Sequence, residues 1–174
     1  YYQPEAYLPV TDTYIEKDSS INDEIDRLRH SATASLLERR DVIVVASVSC
    51  IYGLGDPEDY RDLMLHLRTG MRIDRDKVIE ELVHLQYIRN DFELKRGTFR
   101  VRGDSLDIHL VNSDELFLRI SFFGDEIDKM VEVERISNKA VVGRSYVGIT
   151  PARHFATTDE KKERALVTIE AELE

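Results

Sequence analysis

The chain has 174 residues, 42% hydrophobic and 33% charged, and its 24 Lys and Arg against 34 Asp and Glu leave a formal charge of −10. At roughly 100 to 200 residues per domain this is one or two compact domains with a core of their own, which excludes disordered, collagenous and disulfide-stapled classes. The single cysteine, Cys50, permits neither an intrachain disulfide nor a cysteine-based metal site. No apolar stretch approaches the ~20 residues of a membrane span and no leader pattern opens the chain, so a cytoplasmic protein without a membrane partner is expected. The net charge repels a polyanion at long range, so any nucleic-acid contact has to be local and shaped.

Residues 1–18 hold four of the eight tyrosines and two of the four prolines, which predicts an extended arm or hairpin. A helix follows from Ser19 or Ser20, with acidic Asp23 and Glu24 in its first turn, an apolar stripe of Ile21, Ile25, Leu28, Ala32, Leu36 and Leu37, and an end at Arg39-Arg40. Asp41 to Ala46 is a continuous β-branched run without alternation, the pattern of a strand buried on both faces of a parallel sheet. Its setting is α/β, and the following Ser47 to Gly55 loop lies where such sheets place ligand crevices. Asp56-Pro57 then opens a helix expected to run to about Leu67.

From Gly70 the pattern changes. An amphipathic helix is predicted over 74–87, carrying Val78, Ile79, Leu82, Val83 and Leu85. Short strands follow over 97–102, 105–111, 116–123, 126–134 and 141–149, separated by Gly103-Asp104, Asn112-Ser113, Gly124-Asp125 and Ser137-Asn138. This is a small α+β domain, antiparallel strands plus a helix, inserted into the α/β chain. Pro151 marks its exit, and Thr157 or Thr158 caps a last helix over 159–174. That helix has no closing Gly or Pro and the chain has no initiator Met, so a piece of a longer protein is expected.

The sequence contains no G-x-x-x-x-G-K-[ST] phosphate loop and no Asp-Glu pair after an apolar strand, so ATP turnover by this stretch is not expected. Its five histidines show neither metal-ligand spacing nor a neighbouring cysteine. Gly53-Leu54-Gly55 lacks the third glycine of a dinucleotide fingerprint and also fits a plain turn. Ser47, Ser49 and Cys50 have no acid or base placed beside them by sequence.

The most informative stretch is Arg96 to Arg102. At period 2, Arg96, Thr98, Arg100 and Arg102 share one face and Phe99 and Val101 the other. In 116–122 the even positions are apolar, which sets Arg119 and Ser121 on the polar face. Between Arg89 and Arg102 five basic residues meet two acids, a local charge of +3. Such a face suits a carboxylate-bearing protein partner, because guanidinium forks pair carboxylates bidentately and no aromatics are interleaved for bases to stack on. The same pattern also fits a solvated face with salt bridges to Asp107 or Glu93. Tyr1, Tyr2, Tyr7 and Tyr14 either pack on their own domain or stack on bases.

The stretches YYQPEAY (1–7), TDTYIEKD (11–18), INDEIDRLRHSAT (21–33), ASVSCIYGLGDPE (46–58), RGTFRVRGD (96–104), FFGDEID (122–128) and PARHF (151–155) together resemble the UvrB family, the B subunits of the bacterial UvrABC excision nuclease of nucleotide excision repair. The transcription-repair coupling factor carries a related module with a stretch like FFGDEID. The resemblance implies a helicase-like parent that binds ATP and Mg²⁺ outside this stretch, works with UvrA and UvrC, and probes damaged DNA with a β-hairpin. It divides the chain into a partial hairpin (1–22), part of the helicase-like ATPase domain (23–62), an inserted UvrA-interaction domain (63–151) and a returning helix (152–174). It assigns Arg89, Arg100, Arg102 and Arg119, with Arg96 as a weaker candidate, to UvrA, and Tyr1, Tyr2, Glu5, Tyr7, Tyr14 and Lys17 to DNA. The family pattern Arg-x-Glu meets Arg119-Ile120-Ser121 here, so an acidic side chain is missing at Ser121. No catalytic, cofactor or metal-binding residue is implied within the chain. Replacing Arg100 and Arg102 by Glu is expected to abolish partner binding with little change in melting temperature.

Overall fold

A computed structural model describes residues 6–15, 23–46 and 57–154, and helical positions 166, 168, 169, 172 and 173. The arm is a two-stranded hairpin of β1 (Ala6–Leu8) and β2 (Thr13–Ile15), with Tyr7 opposite Tyr14. Helix α1 (Asp23–Glu38) follows, then α2 (Pro57–Asp62) and β3 (Leu65–Arg68). Helix α3 (Arg75–His84) precedes a six-stranded sheet of β4 (Ile88–Arg89), β5 (Thr98–Arg102), β6 (Ser105–His109), β7 (Leu116–Phe123), β8 (Glu126–Glu134) and β9 (Ala140–Arg144). The last strand, β10 (Tyr146–Ile149), leaves this sheet and pairs antiparallel with β3.

Strands β5 to β9 form an antiparallel meander in chain order, and β4 adds to its edge parallel to β5. Two of its hairpins have two-residue turns, Gly103-Asp104 and Gly124-Asp125. Each puts glycine at the first turn position, with φ of +57° and +61°, a left-handed conformation that costs a side-chain-bearing residue about 1 to 2 kcal/mol. The main core forms where Val78 and Leu82 of α3 meet Phe99, Leu106, Ile108, Leu118, Ile120, Ile127 and Met130. Ile127 and Met130 are three apart yet face one core, because the β7–β8 register shifts after Ser121 and a bulge at Asp128 resets the alternation.

Several expectations are corrected. Residues 42–46 form no strand, and Ile43 and Val45 are exposed: among the described residues no neighbouring strand pairs with them, and a parallel ladder cannot form alone. The helix opened by Pro57 stops at Asp62, because Leu65 and Leu67 alternate with His66 and Arg68 and bury Leu67 in the core through β3. The run 141–149 is two strands, serving two sheets. On α1 the buried residues are His30 and Ala34, four apart, while Leu28 and Leu36 of the expected stripe are exposed.

Helix α3 also ends earlier than its apolar pattern suggests. The Tyr87 amide donates to the Leu82 carbonyl at 2.9 Å and the Gln86 amide to that of Val83 at 2.9 Å, with Gln86 at φ +66°. This is a Schellman closure with glutamine where glycine usually stands, sealed by contact between Leu82 and Tyr87 in the core.

Candidate partner-binding face

The sheet face turned away from α3 carries the arginines. Register places Arg100 of β5 opposite Asp107 of β6, and Asp107 opposite Arg119 of β7, so the three side chains stand in one row across three strands. The Arg100 Nε donates to Asp107 Oδ2 at 3.0 Å, and the Arg119 Nε and Nη2 donate to Oδ1 and Oδ2 at 2.6 and 3.0 Å. The Asp107 side chain is only 1% exposed, against 14% for Arg100 and 28% for Arg119. The Asp107 hydrogen bond raises the Arg119 pKa, and burial opposes it.

Beneath the row lies the Phe117 ring, 5.6 Å from the Arg100 guanidinium carbon and 5.2 Å from that of Arg119. Both cations sit over a quadrupole of the right sign. Phe117 itself packs with Leu94 and Val133 in a second, smaller apolar cluster. The polar face expected from alternation is therefore a charge triad of net +1 resting on an apolar floor. The salt bridge to Asp107 that the alternation also allowed is present, and it binds two arginines instead of one. Phe117 and Leu94 were missed; the available signal was Phe117 sharing the odd positions of β7 with Arg119.

The remaining arginines differ. Arg102 is exposed next to the Gly103 turn, and no ion pair holds it among the described residues. Arg89, also exposed, pairs with Asp91 at 2.9 Å, and Asp91 in turn accepts the Val101 amide at 3.1 Å; the Arg89 hydrogen bond pulls the Asp91 carboxyl below its usual range. Arg96 does not share the face. Gly97 at φ +71° precedes the first strand residue, Thr98, so the period of 2 does not reach back to it. Its side chain, 16% exposed, donates instead to the Asp23 carbonyl at 2.7 Å and the Val111 carbonyl at 3.2 Å, tying the start of α1 to the sheet domain.

Of the residues assigned to DNA, Tyr7 and Tyr14 are exposed partners on the hairpin, and the Tyr7 hydroxyl donates to Asp12 Oδ1 at 2.7 Å. Tyr1, Tyr2, Glu5 and Lys17 lie outside the described residues, as do the Ser19 or Ser20 cap, the Ser47 to Gly55 loop and the Thr157 or Thr158 cap.

Spacing alone did not bring any histidines together, but the fold does. Asp26, His30 and His154 each offer a ligand atom within 4.8 Å of the others. The His30 and His154 rings stack with centroids 3.8 Å apart and planes 29° apart. Planes that close to parallel intersect well beyond the ~2 Å reach of a metal–nitrogen bond, so chelation would require one ring to turn. Burial, then the neighbouring His154, lowers the His30 pKa to about 4, and burial likewise lowers that of His154. The two rings form a buried stack at the α1 junction. No helix among the described residues is long and apolar enough to cross a membrane.

The described residues thus form a mixed α+β domain with an arginine-bearing sheet face. A family model described as the UvrB interaction domain matches residues 65–155, and the chain belongs to that family. It is similar to UvrABC system protein B of Latilactobacillus sakei, 60% identical over 173 residues covering 99% of this chain and 26% of that protein. The corresponding proteins of Caldicellulosiruptor saccharolyticus and Bacillus licheniformis are 60% and 58% identical over 174 residues, again 26% of their length. The chain thus spans about a quarter of the curated relatives it matches.

Proposed function

We propose that this chain is the partner-docking portion of a UvrB-type subunit of nucleotide excision repair, and that it binds UvrA in the cytoplasm through the arginine face of the six-stranded sheet. The observation that supports this most is the exposed Arg102 beside the Arg100–Asp107–Arg119 row, within the stretch matched by the interaction-domain family. Guanidinium forks on a rigid sheet suit carboxylates on an opposing surface, and such contacts weaken with salt. ATP and Mg²⁺ would be handled, and UvrC engaged, by parts of the longer subunit outside this stretch. A second reading, contact with damaged DNA through the hairpin, is favoured by the exposed Tyr7 and Tyr14 pair.

The test is calorimetric titration of the chain with UvrA at low and high salt, with Arg102→Glu as the variant. Salt-sensitive binding lost in Arg102→Glu at unchanged melting temperature is expected. Binding indifferent to Arg102→Glu but lost in Tyr7→Ala/Tyr14→Ala would move the contact to the hairpin.

A further inference from the structure

We propose that Asp107 is a positioning residue for the docking face: its buried carboxylate takes up the Nε and Nη2 edges of Arg100 and Arg119 and locks them into one rigid pair, leaving their Nη1 groups for an acidic partner surface. This rests on the docking reading above and adds a component that touches no partner.

Alternation makes Asp107 look like a competitor, a negative charge within a cationic face. Geometry gives it a different part. Both Nε groups donate to it, and the two guanidiniums reach it from opposite neighbouring strands in strict register. Asn138 accepts a further bond from Arg119 Nη2 at 3.3 Å, and Phe117 supports both cations from below. Every one of these contacts uses the Nε and Nη2 edge of the arginines or their faces. The Nη1 groups have no partner among the described residues, and they are the donors left for a carboxylate from outside.

An arginine free in solution loses side-chain entropy when it docks, whereas one already held on a β-sheet by a buried anion has lost it during folding. Removing the Asp107 charge therefore has two opposed consequences. The row gains charge, from +1 to +2, which by electrostatics alone would tighten binding to an acidic surface and steepen its salt dependence. The arginines lose their lock, which weakens binding.

The experiment titrates UvrA with the wild-type chain, Asp107→Asn and Arg102→Glu at two salt concentrations. Asp107→Asn is expected to weaken binding by about tenfold despite the added positive charge, as loss of preorganisation in two long side chains implies. Equal or tighter binding by Asp107→Asn, with the Arg102→Glu loss intact, would overturn the positioning role while leaving the docking reading standing. Wild-type binding unaffected by Arg102→Glu would instead overturn the docking reading itself.

A second measurement needs only the wild-type fold. The Nε–H protons of Arg100 and Arg119 should give resolved NMR signals that exchange slowly with water at neutral pH, while that of Arg102 exchanges fast. Fast exchange at Arg100 and Arg119 would show the lock to be absent, whatever the stability of the Asn variant.

Discussion

The two faces of the six-stranded sheet are organised by different forces. Toward α3, Phe99, Leu106, Ile108, Leu118 and Ile120 are buried by apolar contact alone, which is strong in sum and non-directional. On the other face, a single carboxylate, two guanidiniums and one ring make a small, directional assembly. The apolar face holds the fold, and the charged face holds a geometry. A sheet can afford the second only because the first has already set its register: a slip by one residue would exchange Arg100 for Phe99 and bring the charges into the core.

That contrast can be broken on either side. The largest effect is expected from Phe99→Ala, which opens a cavity in the main core and should cost about 3 to 5 kcal/mol, read as a lower denaturation midpoint. Arg100→Glu comes next. It sets a second carboxylate against the buried Asp107 and should cost about 3 kcal/mol, the scale of breaking a buried ion pair. The expectation that replacing Arg100 and Arg102 by Glu brings little change in melting temperature therefore does not extend to Arg100, whose side chain is largely covered.

Acid should act through the histidines at the α1 junction. Above the ordinary histidine value of 6.5, His30 is neutral in both folded and unfolded chains and contributes no pH dependence. As pH falls below 6.5 the unfolded chain takes up a proton that the buried imidazole refuses until about pH 4. Stability should therefore fall across that window. The burial-lowered pKa values of His109 and His154 act in the same direction. Thermal melts of His30→Gln against wild type between pH 7 and 4 check this; a slope unchanged by the substitution would count against it. The smallest effect on stability belongs to Arg102→Glu, within about 0.5 kcal/mol as for other exposed positions, even where partner binding is lost.

How far the fold was legible depended on whether the deciding contact was local. The hairpin turns at Gly103-Asp104 and Gly124-Asp125, the two faces of β5 and β7, and the Val78 and Leu82 face of α3 all follow from neighbours within four residues, which periodicity records directly. The end of α3 escaped because Gln86 adopts a conformation usually signalled by glycine. The bulge at Asp128 escaped because it is a property of the β7–β8 pairing.

By itself, then, the sequence determined an α+β sheet domain with an arginine-bearing face, since alternation and turn chemistry are written in adjacent residues. Only the tertiary structure decided that Arg96 fastens α1 and does not join that face, that β10 leaves the meander for β3, and that 42–46 stays unpaired among the described residues. It also decided that Asp107 gathers Arg100 and Arg119 over Phe117. Each of these depends on which strand lies beside which, and a lone strand's pattern carries no record of its neighbour.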